Sequence, residues 1–393
     1  MHDVVIVSGA RTAIGTFGGS LAQTPPVDLA TTVIQAALER GDVDPKAVGH
    51  VVVGNVIHTE TRDMYVSRVG ALQAGVDRST PCLTVNRLCG SGLQAIVSAA
   101  QHIMLGDADV AVGGGAENMS RSPHSSQSLR RGHKMGNVEF EDMMLGALHD
   151  PFGHGHMGIT AENIAAEKGI TREAQDAVAL ESQRRAARAI EEGRFKEQIV
   201  PVMVRVKREE RPFVVDEHVR TDATPEGLAK LRPVFKKDGS VTAGNASGIN
   251  DGAAAIVMMS AERAEREGRK PMAKILGYAH AGVDPRVMGL GPIPAVQKLF
   301  EKTGIGADQL DVVESNEAFA SQCKAVEDAL GLDPAKTNPN GGAIALGHPI
   351  GGTGAILTVK AMYELDRIDG RYGLITMCIG GGQGIAMLIE RPS

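Results

Sequence analysis

The sequence predicts an α/β fold in which one strand-and-helix unit occurs twice, with a long insertion between the copies. Three observations carry this. Short apolar runs rich in Val and Ile alternate with helical spacing along both ends of the chain, as in layered α/β sheets. Strand, Asn, glycine-rich turn, small-residue helix, strand and triple glycine occur from Val85 to Gly115 and again from Asn340 to Gly382, the punctuation of a duplicated unit. Between Met119 and about Asn250 that pattern loosens into loop-like stretches around one long helix. The division expected is an N-terminal half over 1–118, an insertion over 119–250 and a C-terminal half over 251–393.

Taken in order, Val4 to Ser8 reads as a strand, and the glycines after it do not meet the G-x-G-x-x-G spacing of a dinucleotide site. Asp28 to Arg40 has helical spacing, with Asp28 as N-cap and Gly41 as stop. Val51 to Asn55 is a continuous apolar strand of the kind buried on both faces. Ser67 to Ala74 predicts a helix, Cys82 to Val85 a strand, Ser91 to Leu105 a helix and Ala108 to Gly113 a strand. In the insertion, Arg172 to Glu192 predicts a helix capped by Thr171 and ended at Gly193. Ala253 to Met259 returns to strand, followed by Asp311 to Glu314, a helix from Glu317 to Leu330, a helix from Ala355 to Leu365 and a strand from Leu374 to Cys378.

Composition narrows the function. With 42% hydrophobic and 22% charged residues the 393-residue chain has the balance of a globular protein, and 3% aromatics leaves aliphatic residues to build its core. A net charge of -6 gives no reason to expect nucleic acid as a partner. No apolar run approaches the ~18–20 residues that span a bilayer. The chain opens almost directly on the Val4 strand and ends on Arg391-Pro392-Ser393, so the compartment expected is the cytoplasm. Four cysteines without metal-ligand spacing suit a reducing compartment.

Four positions carry candidate chemistry. Cys89, in Asn86-Arg87-Leu88-Cys89-Gly90-Ser91-Gly92, sits where a strand turns into a helix, so the helix N-terminus would favour its thiolate; the other reading is a buried structural thiol. Gly90 and Gly92 would let a substrate carbonyl approach. His348 stands among glycines in Asn340 to Ala355, where the Walker-A spacing lacks its Lys; loss of neighbouring side chains favours an exposed imidazole over a core one. Cys378 ends a strand and opens into Gly380-Gly381-Gly382. Asn316 ends another strand and offers both donor and acceptor, or serves as an N-cap. The dense Arg and Lys from Arg184 to Arg211 read as a solvated face or as a rim that attracts an anion.

Together NRLCGSG at Cys89, NEAFA at Asn316 to Ala320, GHPIGGTGA at His348 and CIGGGQG at Cys378 resemble the thiolases, the acetyl-CoA C-acyltransferases, over essentially the whole chain and in family order. The likeness is closest to bacterial biosynthetic β-ketothiolases. It implies a five-layered αβαβα core with a loop domain, and a reversible Claisen condensation of two acyl-CoA molecules to a 3-oxoacyl-CoA. In that scheme Cys89 is acylated, His348 takes its proton, Cys378 removes the α-proton of the second substrate, and oxyanions meet His348 with a water on Asn316, or the N–H groups of Cys89 and Gly380. Coenzyme A is implied as substrate and product, with Leu148, His156, Met157, Ala243, Ser247, Ala318 and Phe319 along its pantetheine arm and Arg220 near its nucleotide. Met288 joins Leu148 and Met157 as an expected pocket wall. No metal or tightly bound cofactor is implied, and a homotetramer is the expected assembly. The alternatives are a degradative 3-ketoacyl-CoA thiolase of longer chains and a decarboxylating ketoacyl synthase, which relies on a His pair or His-Asn rather than a second Cys.

Overall fold

Residues 2–392 are described by the structure, a computed structural model. The N-terminal half contains β1 (Val4–Arg11), β2 (His50–Gly54), β3 (Cys82–Val85), β4 (Val110–Asn118) and β5 (Asn250–Ser260). Its helices are α1 (Pro26–Arg40), α2 (Val66–Gln73) and α3 (Ser91–Met104). The two long helices between β4 and β5 are α4 (Met157–Lys168) and α5 (Arg172–Glu191). The C-terminal half contains β6 (Ala273–Gly282), β7 (Val312–Ser315), β8 (Tyr372–Ile379) and β9 (Gln383–Glu390), with α6 (Pro292–Thr303), α7 (Ala320–Leu330) and α8 (Thr353–Ile368).

The duplication is written in the hydrogen bonding. Strands run β3-β2-β4-β5-β1 across the first half and β7-β8-β9-β6 across the second. Thr337 bridges in parallel to Val313 beyond β7, where β3 stands in the first half. With that residue counted, both halves have one strand order, parallel on the β2 and β7 side and antiparallel on the other. They meet through β1 and β6, which pair at Val5–Lys274 and Ile6–Ala273. α3 and α8 pack on each other between the two sheets, while α1 and α6 cover the outer faces, giving five layers. β4 and β5 are buried along their whole length, including the polar Glu117, Asn118, Asn250 and Asp251 at their ends.

Several element ends differ from the sequence reading. α1 starts at Pro26, whose fixed φ suits the first helical position, so Asp28 lies in the first turn and does not cap it. α7 begins at Ala320 instead of Glu317, and α8 begins two residues before Ala355, at Thr353. β4 runs through Gly113-Gly114-Gly115 to Asn118, so these glycines are strand residues, whereas Gly380 to Gly382 form a turn with Gly381 and Gly382 at φ +83 and +86. The matching triple glycines therefore have unrelated jobs. A Cβ on Gly115 would fall 2.1 Å from the Gly351 carbonyl oxygen, so that glycine admits the other half of the molecule.

The chain leaves the first sheet after Asn118 and re-enters it at Asn250, at the place where the second half needs only the Gly380 turn. The excursion is tied back to the core by polar contacts. Arg11 and Asp216 form a fully buried ion pair with N–O distances of 2.7 and 2.9 Å, and Arg11 Nε donates to Gln198 at 2.7 Å. Removing one partner would leave a buried charge uncompensated.

The halves also approach closely where α3 and α8 begin. A Cβ on Gly92 would sit 2.9 Å from both the Ala355 nitrogen and the Gly351 oxygen, and one on Gly354 would sit 2.3 Å from the Leu93 nitrogen. Those atoms are backbone and cannot swing aside. Gly354→Val should therefore destabilise the protein by about 3 kcal/mol, the upper part of the overpacking range, visible as a lower thermal midpoint. An unchanged midpoint would show that these helix starts do not touch.

Candidate active site

Cys89 precedes α3 on a tightly held turn. Leu88 has φ +43, a left-handed conformation costly for a residue with a Cβ. Side chains hold it there: Asn86 accepts from the Leu88 N–H at 3.0 Å, and Ser91 Oγ accepts from the Arg87 N–H at 2.8 Å and donates to the Leu88 carbonyl at 2.7 Å. Gly90 is not an opening for substrate, as the sequence suggested, because its missing Cβ makes room for Ile379 at 2.5 Å. Cys89 is half-buried and lines an internal cavity.

His348 is buried, not exposed, since its surrounding glycines are filled by other backbone and by Asn250 and Glu117. Its ring is fixed from two sides. The Thr353 hydroxyl donates to the Pro349 carbonyl at 3.0 Å, so in its 2.7 Å contact with Nδ1 it must accept, which places the imidazole proton on Nδ1. Nε2 then carries the lone pair and receives the Asn316 amide at 3.4 Å. Asn250 holds the turn itself by accepting from the His348 N–H at 3.0 Å.

Asn316 and Cys378 come from the C-terminal ends of the parallel neighbours β7 and β8, where ligands of α/β sheets usually bind. Asn316 is not a helix cap; its N–H bonds to the Thr376 carbonyl at 3.0 Å and its Oδ1 is buried without a partner. Cys378 is fully buried among Met157, Met288 and Phe319, and the nearby Cys89 sulfur adds to burial in disfavouring its charge. Gly380 lies against Leu88 and Met157, which a Cβ there would meet at 2.9 and 3.2 Å.

One cavity of about 460 Å³ gathers these groups. Cys89, His348 and Gly380 line it, as do Leu148, His156, Met157, Arg220, Ala243, Ser247, Ala318 and Phe319, all picked out from the sequence, together with Met288. Cys378 and Asn316 are fully buried and are not among the residues that line it. Sequence reasoning missed Thr353, Asn250 and Glu117, which orient the site, and Phe235, which stacks on His156 at 4.6 Å and meets Phe319 edge-on at 6.2 Å. Only Glu117, a lone charge in an apolar strand, left a signal. Cys82 and Cys323 do not line the cavity. Among the described residues no three His, Cys, Asp or Glu gather to hold a metal, and His149 meets His156 edge to face at 5.3 Å.

Burial governs the charges. It pushes the Cys89 thiol up to about 11 against the pull of the Gly380 and Cys89 N–H groups, and pushes the Cys378 thiol higher still. It brings His348 down to about 4. The resting pair is neutral thiol and neutral imidazole, so the expected thiolate at the helix start does not form: desolvation outweighs the dipole.

What a thiol beside a neutral imidazole can do, with backbone N–H groups facing the same space, is take up an acyl group and hand it on. That makes the class an acyltransferase. The chain belongs to the thiolase family: residues 4–262 match its N-terminal domain and residues 269–391 its C-terminal domain. It is 61% identical over 391 residues to the beta-ketothiolase BktB of Cupriavidus necator, with 99% of each chain covered. Among solved structures, the acetyl-CoA acetyltransferase of Bacillus anthracis superposes with a TM-score of 0.97 at 48% identity, covering 100% of this chain and 99% of that one. Human mitochondrial 3-ketoacyl-CoA thiolase in complex with CoA does so with a TM-score of 0.97 at 43% identity, covering 100% and 98%.

Two measurements check this geometry. Thr353→Val removes the acceptor of the Nδ1 proton, at a cost of about 1–3 kcal/mol, and should slow acylation about ten- to hundredfold without unfolding the protein. In a titration, the ultraviolet thiolate absorbance that is lost in Cys89→Ala should be absent at neutral pH and rise only as pH climbs toward 11. Thiolate signal at neutral pH would mean an ion pair, not a neutral pair.

Proposed function

We propose that the chain is an acetyl-CoA C-acyltransferase, a β-ketothiolase, which condenses two acyl-CoA molecules to a 3-oxoacyl-CoA plus CoA and also runs in reverse. The carrying observation is the buried His348 ring, fixed by Thr353 at Nδ1 and facing Asn316 with Nε2, on the wall of a cavity that Cys89 also lines. Cys89 Sγ attacks the thioester carbonyl and its proton passes to His348 Nε2. The tetrahedral intermediate then expels the CoA sulfur, which takes the proton of the Cys378 thiol. Cys378, now the thiolate, removes the α-proton of a second acyl-CoA and is a thiol again. The resulting carbanion attacks the acyl carbon on Cys89, a C–C bond forms as the C–S bond breaks, and the proton held on His348 returns to the Cys89 sulfur. The burial that raises the Cys378 pKa makes its thiolate a stronger base for a weakly acidic C–H.

Each oxyanion needs fixed donors, and removing one costs about 2.7–4 kcal/mol of barrier. The Gly380 and Cys89 N–H groups serve one, and His348 with a water on Asn316, whose Oδ1 has no protein partner, serves the other. Coenzyme A lies with its acyl end at Cys89, its pantetheine along Leu148, His156, Met157, Ala243, Ser247, Ala318 and Phe319, and its nucleotide toward Arg220. The 119–250 excursion acts as the CoA-binding insertion, and the boundary expected at 251 moves to the end of β5, because Asn250–Ser260 completes the sheet of the first half. The one-sided edge strand β3, with Leu83 exposed at 42%, and exposed Met64, Tyr65, Met135 and Phe140 support assembly as a homotetramer. The proposed compartment is the cytoplasm, and among the described residues no helix is long and apolar enough to cross a membrane.

Cys378→Ala separates the two half-reactions. With labelled acetyl-CoA it should still place label on residue 89, while condensation drops by roughly 10²–10⁴-fold, the usual worth of a general base. Label absent from Cys89 in the wild type would overturn the transferase reading, and condensation at the normal rate in the variant would remove Cys378 from the base's role.

A further inference from the structure

We infer that Glu317 is a positioning residue for the condensation step: its buried carboxylate joins the Asn316 amide, the turn before His348 and the insertion helix α5 into one unit. The inference rests on the reading of this chain as an acyl-CoA transferase and concerns a residue to which that reading gives no role. The Gly380 and Cys89 N–H groups flank the Cys89 sulfur and so serve carbonyls bound to it. That leaves the Asn316–His348 site for the thioester oxygen of the second acyl-CoA as its α-proton departs. Asn316 needs support to act there. Among the described residues its side chain has one partner, His348 Nε2 at 3.4 Å, so the aim of the amide is set by its backbone. On one side that backbone is held by β8, through the Asn316 N–H on the Thr376 carbonyl at 3.0 Å. On the other side the next residue is Glu317.

The Glu317 side chain is buried and its three partners all donate to it. Ser182 Oγ of α5 donates to Oε2 at 2.6 Å, the Ile344 N–H to Oε2 at 3.2 Å and the Asn338 amide to Oε1 at 3.0 Å. Such a set suits the ionised carboxylate, although burial pulls its pKa upward. Ser182 in turn accepts from the Gly342 N–H at 3.0 Å, and a Cβ on Gly342 would fall 2.1 Å from the Glu317 carboxyl carbon. Gly342 and Ile344 belong to the segment that leads through the short helix Ala343–Leu346 to His348. One carboxylate therefore spans both residues of the oxyanion site, but the two do not depend on it equally. His348 is also held by Thr353 at Nδ1 and by Asn250 at its N–H, whereas the Asn316 amide is fixed through its backbone. Loosening Glu317 should thus move the Asn316 amide and leave in place the imidazole that takes the Cys89 proton.

Glu317→Gln tests this, because an amide cannot reproduce the pair of acceptor oxygens. In one orientation its amino group meets the Ile344 N–H. In the other it meets the Asn338 amide, which cannot flip, since it accepts from the Ser315 N–H at 3.0 Å and donates to the Ser315 carbonyl at 2.8 Å. Transfer of label from acetyl-CoA to Cys89 and formation of acetoacetyl-CoA are timed separately in the wild type, Glu317→Gln and Ser182→Ala, with thermal midpoints alongside. Glu317→Gln should acylate within about threefold of the wild-type rate and condense about a hundredfold more slowly, the cost of a group displaced by about 1 Å. Ser182→Ala, which removes one donor and keeps the carboxylate, should show the same split at about tenfold, and it carries the test if Glu317→Gln does not fold. Equal losses in the two steps, or none, overturn the inference. A wild type that takes no label would sink the transferase reading and this inference with it; a wild type that labels and condenses beside variants without the split sinks the inference alone.

Discussion

The site depends on one steric constraint: two helices, one from each half of the duplication, must begin in backbone contact. Gly92 and Gly354 at the starts of α3 and α8, and Gly115 against Gly351, leave out side chains at positions where a Cβ would meet main-chain atoms at 2.9 Å or less. Cys89 precedes the first helix and His348 the second. Any wider spacing would keep the thiol and the imidazole in separate halves of the molecule.

Glu117 reinforces this contact with hydrogen bonds. From β4 it accepts from the Val56 and Ile57 N–H groups at 3.0 Å, from the Asn55 amide at 3.1 Å and, across the interface, from the Gly351 N–H at 2.9 Å. Burial pushes its carboxyl up to about 8, although the backbone donors act in the opposite direction. A buried carboxyl in this position joins the end of β2, next to the nucleophile turn, to the loop just after His348. Breaking such a network on one side leaves the other partners unsatisfied in a dry interior, which costs more than the bonds themselves are worth.

The sequence carried the strand-and-helix alternation, the four motifs and every cavity residue named from them, because those features are local or family-specific. It carried less about why the glycines are there. Runs around Cys89 and His348 look like clearance for a ligand, and the same residues in three dimensions are clearance for the opposite half of the chain. That information is tertiary and has no local signature. The protonation of Cys89 was misjudged for a related reason: a helix start can be read from sequence, while the desolvation that overrides it cannot. Thr353 and Asn250 went unnoticed because a small polar residue becomes a tautomer lock or a loop clamp only through its partner.

The duplicated architecture also explains how the chemistry is divided. Both halves have the same strand order, but the connection that is a three-glycine turn after β8 has become the long excursion between β4 and β5. The short version puts a backbone N–H beside the thiol; the long version roofs the cavity and brings His156, Phe235 and Arg220 to its walls. Deep in the site, where water is excluded, neutral groups and fixed dipoles can stabilise charge that exists only in passing. At the mouth, where solvent screens, permanent cations can meet permanent anions without a desolvation penalty. The same insertion supplies both kinds of residue to the cavity, the half-buried His156 and Phe235 on its walls and the exposed Arg220 at its edge.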